Sequence, residues 1–459
     1  MSALNGYRFY FIGVGGIGMS GLARYFRRRG AEVAGYDRTP SELTNQLLSE
    51  GIEVQFNESP TLIPAAFRDA SAKEVMVVRT PAVPVTSPLL KYWEEKGARI
   101  MKRAELLGLV TQDLPTIAVA GTHGKTTVST MLAHLLTAGK VKCNAFLGGI
   151  AVNYGTNVLL NDDAVVNVVE ADEYDRSFLK LCPSQSIITA MDPDHLDIYG
   201  TPEAMFEAYT QFAVQCDGPL LVHERVADHF KDRTQIVTYA LGSTGLPRAE
   251  NLRIENGYYT FDLYAEGVEL KDLRLGMGGK HNVENAIAAC TIALRLGVSR
   301  SDLRAGLSSF RGVSRRFETL VRGPKPVLID DYAHHPKELD ACIGSVRELY
   351  PGRTITGVFQ PHLFTRTRDL AADFARSLSA LDELVLLEIY PAREEPLPGI
   401  TAQWLLDQVP MGNKKVVARD DVVAELAGRE LDVVVTMGAG DIDRAVSGIQ
   451  RMMNDRITP

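Results

Sequence analysis

The sequence predicts an α/β protein of three domains built on largely parallel sheets. Three observations lead there. Short β-branched runs alternate with amphipathic stretches from end to end, the pattern of βα units. Glycine-rich turns directly follow apolar runs at Gly13–Gly18 and Gly121–Lys125. The length, 459 residues, exceeds what one core fills at roughly 150 residues per domain. Boundaries are expected near 108 and 313, giving domains 1–108, 109–312 and 313–459.

The first domain opens with strands expected at Arg8 to Gly13, Glu32 to Asp37, Glu74 to Arg79 and Ala98 to Met101. Pro81 to Pro84 should break the chain into a loop after the third of them. In the second domain, Thr116 to Ala120 reads as a buried strand that enters a glycine-rich turn and then a helix from near Lys125. Further apolar strands end near Glu170 and Ala190. Residues 218 to 276 differ, with several short strands and an Asn256-Gly257 hairpin turn, and read as an antiparallel edge of this domain. A helix follows from Asn282 to Leu296. The third domain carries strands at Val327 to Asp331, Thr354 to Phe359, Glu383 to Glu388 and Asp432 to Thr436.

Composition excludes several classes. With 45% hydrophobic and 23% charged residues the chain is an ordinary globular one, neither disordered nor collagen-like. A net charge of −8 argues against general nucleic-acid binding, so an anionic ligand needs a local basic site. Five dispersed cysteines with no CxxC pair fit a reducing compartment. No apolar run is long enough to span a bilayer, and Arg27-Arg28-Arg29 stands where a signal peptide would want a cleavage site. A cytoplasmic protein without membrane insertion is expected, as a monomer or a homodimer.

Gly121-Thr122-His123-Gly124-Lys125-Thr126-Thr127 sits between a strand and a helix, where backbone N–H groups can cradle phosphates. Lys125 adds a point charge for β and γ oxygens, and the Thr126 hydroxyl can ligate Mg²⁺. The full Walker pattern wants glycine where Val119 stands, so alone the turn could be an ordinary tight βα connection. Gly124-Lys125-Thr126-Thr127 between a strand and a helix nonetheless favours nucleotide binding and makes the middle domain P-loop ATPase-type.

Gly13-Val14-Gly15-Gly16-Ile17-Gly18 fits GxGxxG after the first strand, with Asp37 closing the next, which makes the first domain Rossmann-like. Glycines let a pyrophosphate approach a helix N-terminus. NAD, the diphosphate of a UDP-sugar, or no ligand at all would satisfy the pattern. Acidic segments at Glu170-Ala171-Asp172-Glu173 and Asp192-Pro193-Asp194-His195 each follow a buried strand. Beside a P-loop, a carboxylate and an imidazole can hold a divalent metal. Amides at His281-Asn282 and Asn285 can read an adenine edge. Arg315-Arg316-Phe317, Asp331-Tyr332-Ala333-His334-His335-Pro336 and Gln360-Pro361-His362 complete the set.

In this order, the segments resemble the Mur ligase family of ATP-dependent amide-forming enzymes over nearly the whole chain, and that family's phosphate loop is centred on GTxGKT, which accommodates Val119. The resemblance implies a Rossmann-like C-terminal domain, ATP and Mg²⁺, and UDP-N-acetylmuramate and L-alanine as the molecules joined. Gly15, Ile17, Gly18, Asp37, Thr80 and Pro81 match UDP-sugar contacts. Gly121 to Thr127, Asn285, Arg316 and Asp331 match ATP contacts. Thr126, Glu170 and His195 match metal ligands, and Lys125, Glu170 and His195 carry the chemistry. Tyr332, His334, His362 and Arg366 fall to the amino acid. No lysine lies between Leu196 and Cys216, as expected of the alanine-adding branch. A tripeptide-recycling ligase is the alternative within the family. A nicotinamide-dependent dehydrogenase, outside it, leaves the P-loop unused.

Overall fold

The computed structural model describes residues 4, 6–233, 235–323, 325–392 and 394–457. They form three α/β domains around three sheets. By packing, the chain divides into two compact units: one of residues 1–250, 263–270 and 284–306, the other of residues 251–262, 271–283 and 307–459.

In the larger unit, β1 (Arg8–Ile12), β2 (Val33–Tyr36), β3 (Glu53–Gln55), β4 (Val75–Arg79) and β5 (Arg99–Lys102) form a parallel sheet in the order β3-β2-β1-β4-β5. Order reverses at β1, so the loops leaving β1 and β4 border the crevice where open α/β sheets take ligands. Gly13–Gly18 leaves β1 and Thr80–Pro81 leaves β4.

The second sheet uses β6 (Thr116–Ala120), β7 (Cys143–Ala151), β8 (Thr156–Leu159), β9 (Val166–Glu170), β10 (Gln185–Ile188), β11 (Leu220–His223), β12 (Ile236–Leu241), β13 (Arg248–Glu255), β14 (Tyr258–Ala265) and β15 (Val268–Arg274). Its order is β15-β14-β13-β12-β11-β10-β6-β9-β7-β8. The strands β6, β9 and β10 are parallel neighbours, buried except for Gln185 and Glu170 at their ends, and mostly apolar, as two covered faces require. The expectation of an antiparallel edge over 218–276 is corrected in part, because β10–β11, β11–β12 and β12–β13 pair in parallel. Antiparallel pairing on this side begins only at the Asn256-Gly257 turn, where φ is +52° and +75°, the left-handed pair that a two-residue hairpin needs.

In the smaller unit, β16 (Glu318–Val321), β17 (Val327–Asp331), β18 (Ile355–Phe359), β19 (Glu383–Leu386), β20 (Lys414–Val416) and β21 (Val433–Met437) take the order β16-β17-β21-β18-β19-β20. All pairs but β16–β17 are parallel. Asp331 therefore ends β17 and Gln360 follows β18, on the same carboxyl side of one sheet. Among the described residues no helix is long and apolar enough to cross a membrane.

Candidate functional site

The phosphate loop leaves β6 and turns into the helix Lys125–Ala138 through Gly124, whose φ of +84° suits glycine. Its N-cap is glycine, which has no side chain to cap it, and its first turn carries no acid, so the positive end of the helix dipole has no carboxylate of that turn against it. Gly124 cannot take a side chain, since a Cβ there would stand 2.7 Å from Asn285 Oδ1. That places buried Asn285 directly beside the loop. Thr189, beyond β10, donates to Ala120 O and His123 O and pins the loop's path. The Thr122 hydroxyl accepts from Asp192 N at 3.0 Å, and exposed His123 stands 3.7 Å from Asp192.

Lys125 is the centre of this arrangement. Its ammonium donates to Gly121 O at 2.7 Å and to both oxygens of Glu173, at 2.9 and 2.7 Å. The Glu173 side chain is 1% exposed and that of Lys125 13%, so this is a buried charge pair rather than a surface one. Glu170 ends β9 opposite Val119, and its carboxylate accepts from Gly148 N at 3.1 Å. His195 Nε2 stands 3.8 Å from Glu173 Oε1. His195 also sits at a φ of +52°, a left-handed conformation uncommon outside glycine and concentrated at functional positions.

Among the described residues, no group of three His, Cys, Asp or Glu side chains could hold a metal. A cation here needs phosphate oxygens or water to complete its shell, as Mg²⁺ ordinarily does. The Thr126 hydroxyl and the Glu170 carboxylate are oxygen donors of the kind Mg²⁺ takes, and the His195 imidazole is a nitrogen donor.

At the first sheet, Gly15 N donates to Asp37 Oδ2 at 2.8 Å. A Cβ on Gly15 would meet Thr44 Cγ2 at 2.7 Å and Asp37 Oδ2 at 2.8 Å, and one on Gly13 would meet Thr80 Cγ2 at 2.8 Å. Asp37 and Thr80 thus both abut the loop. Gly15 has to be glycine for the packing of its own domain before any ligand arrives.

In the smaller unit, Asp331 accepts from Phe317 N and Ala333 N, each at 2.7 Å. Desolvation pushes its carboxyl up to about 6, against the pull of Arg316. Arg315 and Arg316 both lie over the Tyr332 ring, 5.2 Å from its centroid. The His334 and His362 rings are 5.9 Å apart, and His362 stacks on Tyr390 at 5.7 Å. Desolvation, helped by His334 and Arg366, lowers His362 to about 4, so the ring is neutral at physiological pH. His362 Nδ1 and Arg366 Nη1 are both buried without a hydrogen-bond partner. Two such orphans within one short segment are uncommon in a finished interior and mark a seat for a polar ligand. Leu363 between them has a φ of +71°.

Sequence reasoning named Glu173 only as part of an acidic segment. The residue types do not show which carboxylate of Glu170-Ala171-Asp172-Glu173 turns inward, and burial singles out Glu173. The expected ATP contacts divide between the units, with Asn285 in the larger and Arg316 and Asp331 in the smaller.

Residues 8–113 match the Mur ligase family, catalytic domain; residues 119–293 the Mur ligase middle domain; and residues 315–440 the Mur ligase, glutamate ligase domain. A UDP-N-acetylmuramate–L-alanine ligase of Parabacteroides distasonis is 47% identical, covering 98% of this chain and 97% of that protein. One from Porphyromonas gingivalis is 49% identical over 97% of this chain and 99% of its own. Among solved structures, the UDP-N-acetylmuramate–alanine ligase of Thermotoga maritima superposes with a TM-score of 0.82 at 26% identity, covering 98% and 99% of the two chains.

Proposed function

The chain belongs to the Mur ligase family, and from that premise we propose that it is an ATP-dependent ligase joining L-alanine to the lactyl carboxylate of UDP-N-acetylmuramate. The observation that carries the chemistry is the meeting of a phosphate loop, Glu170 and His195 at the carboxyl ends of three adjacent strands. The relatives' names supply the substrates.

A carboxylate is a poor electrophile and must be activated. One lactyl oxygen attacks the γ-phosphorus, the bond to the β-phosphate oxygen breaks, and ADP leaves an acyl phosphate. The alanine amine then attacks the acyl carbon, losing a proton as the amide forms and phosphate departs. Lys125 exchanges Glu173 for phosphate oxygens and neutralises the transferring group, while the N–H groups of the uncapped helix hold the phosphates in line. Mg²⁺, held by Thr126 and Glu170 with a second ion at His195, would screen the negative charge that otherwise repels the attacking carboxylate.

Residues 1–108 take the UDP-sugar through Gly15, Ile17, Gly18, Asp37, Thr80 and Pro81. Residues 109–312 take ATP through Gly121 to Thr127 and Asn285, and residues 313–459 take alanine through Tyr332, His334, His362 and Arg366; Arg316 and Asp331 match the family's ATP contacts. Use of ATP and five free cysteines fit work in the cytoplasm on peptidoglycan precursors.

Phosphate release is the test. It should require UDP-N-acetylmuramate, ATP and L-alanine together. Release that persists without either acceptor or amino acid would overturn the reading, and preference for a preformed tripeptide would reassign the chain to peptide recycling.

A further inference from the structure

Arg103 opens the helix Arg103–Val110 and belongs to none of the motifs above. Its guanidinium lies against the glycine loop of the first sheet: a Cβ on Gly18 would stand 2.8 Å from Arg103 Nη1 and 3.0 Å from Cδ. The third glycine of GxGxxG is thus required by an arginine packed on the loop's backbone. The side chain is 20% exposed, and its ion pair is a long one, Nη2 to Asp172 Oδ2 at 3.4 Å. Asp172 also has another task, accepting from Tyr174 N through Oδ1.

The loop itself is poorly equipped for a diphosphate. Gly13 and Val14 donate to Tyr36 O, Gly15 to Asp37 and Gly16 to Gly13 O. That leaves the amides of Ile17 and Gly18, which as first-turn positions have no acceptor within their helix. No cation figures among Gly15, Ile17, Gly18, Asp37, Thr80 and Pro81, whereas Asp37 adds a negative charge. A nucleoside diphosphate entering here would meet two N–H groups and a carboxylate. Arg103 supplies what is missing, and it stands against Gly18, one of the two residues whose amides remain.

We propose that Arg103 is the side-chain cation of the UDP-diphosphate site, exchanging its weak pairing with Asp172 for phosphate oxygens when the nucleotide binds. A guanidinium suits the role because it offers parallel donors to two oxygens at once. The proposal rests on the reading above that this loop takes a UDP-sugar, and it assigns the group that reads the diphosphate.

Calorimetry on the full chain without ATP tests it, with UDP-N-acetylmuramate and UDP as ligands, and with uridine followed by ligand-observed NMR. Arg103→Met keeps an apolar stem over Gly18 and removes the charge. It should weaken UDP and UDP-N-acetylmuramate by about tenfold or more, the scale of a charge-assisted pair, and leave uridine unchanged. Arg103→Lys should recover only part of the loss. Asp172→Asn, which removes the competing partner, should tighten UDP. Unchanged UDP affinity in Arg103→Met, an equal loss for uridine, or weaker UDP binding in Asp172→Asn would each overturn the assignment. Wild-type protein that fails to bind UDP-N-acetylmuramate would instead overturn the parent reading, so the two failures are told apart.

Discussion

In the proposed function the Lys125–Glu173 pair serves stability before nucleotide binds and catalysis after. A buried ammonium left without its partner costs about 3–5 kcal/mol, and Glu173 is that partner before nucleotide arrives. The same carboxylate competes with phosphate for Lys125. Glu173→Gln should therefore lower the melting temperature of the free protein yet enlarge the upward shift produced by an ATP analogue, because phosphate then supplies the only counter-charge. Equal ligand-induced shifts in wild type and variant would contradict this. Asp331 and His362 give pH signatures of opposite sign. The folded state holds Asp331 at about 6, above its unfolded value, so this group's contribution to stability is full below the unfolded value and is lost as pH rises through 6. The folded state holds His362 at about 4, below its unfolded value near 6.5, so its contribution is present above that value and lost as pH falls towards 4. Urea melts of Asp331→Asn across this range should show the variant's deficit shrinking as pH rises from about 4 to 6.

At the scale of elements, two glycines separate propensity from packing. Gly108 lies within the helix Arg103–Val110, where alanine ordinarily gains about 1 kcal/mol. Its Cβ, however, would fall 2.1 Å from the backbone oxygen of Lys180, which cannot yield as a flexible side chain would. Overpacking then wins, and Gly108→Ala should destabilise the protein by about 1–3 kcal/mol in chemical denaturation. Gly15→Ala strains the packing of its own domain too, but against the side chains of Asp37 and Thr44, which can shift, so its effect also reaches the ligand. By pushing Asp37 and Thr44 aside it should raise the KM for UDP-N-acetylmuramate while that for ATP stays nearly constant. The contrast explains what could be read from sequence at this scale. Strands such as Thr116–Ala120 and Val327–Asp331 agree with the expectation to the residue because both faces are covered and each holds a continuous apolar stretch, Ile117 to Ala120 and Val327 to Ile329. The three-residue strands Glu53–Gln55 and Lys414–Val416 are too short for a periodicity to show, and at the sheet edges none of their residues is fully buried. Strand direction over 220–249 was equally hidden, because direction depends on where connections run and not on composition.

For the molecule as a whole, residue types sufficed to single out the Gly121–Thr127 turn and the acidic segments as candidates, because a loop that binds phosphate needs glycine, lysine and threonine in fixed order. They did not reveal which groups pair across the sequence: Lys125 with Glu173, Gly124 with Asn285, or Arg103 with Gly18. Those contacts join segments from 48 to 161 residues apart, and no local pattern encodes them. The same division between segments allows a test of how labour is shared. Lys125 lies in the larger unit, His362 and Arg366 in the smaller. Lys125→Ala should abolish phosphate release and leave UDP-N-acetylmuramate binding almost intact, because the proposed function gives phosphate charge and uridine to different loops. Arg366→Lys should also spare UDP-sugar binding but raise the alanine KM, since a guanidinium whose Nη1 is buried and unpaired can give a carboxylate two parallel donors and an ammonium cannot. The neutral His362 ring beside it adds no charge, so the alanine carboxylate depends on Arg366. A pocket sized for one methyl excludes larger side chains by contact but separates alanine from glycine by only about 1–3 kcal/mol, since one methyl is all it senses. Comparing kcat/KM for L-alanine, glycine and L-serine in wild type and Arg366→Lys checks both points. The substitution should lower all three by a similar factor, because the carboxylate is common to them, and leave the alanine-to-glycine ratio standing; a collapse of that ratio, or an unchanged alanine KM, would place the carboxylate elsewhere.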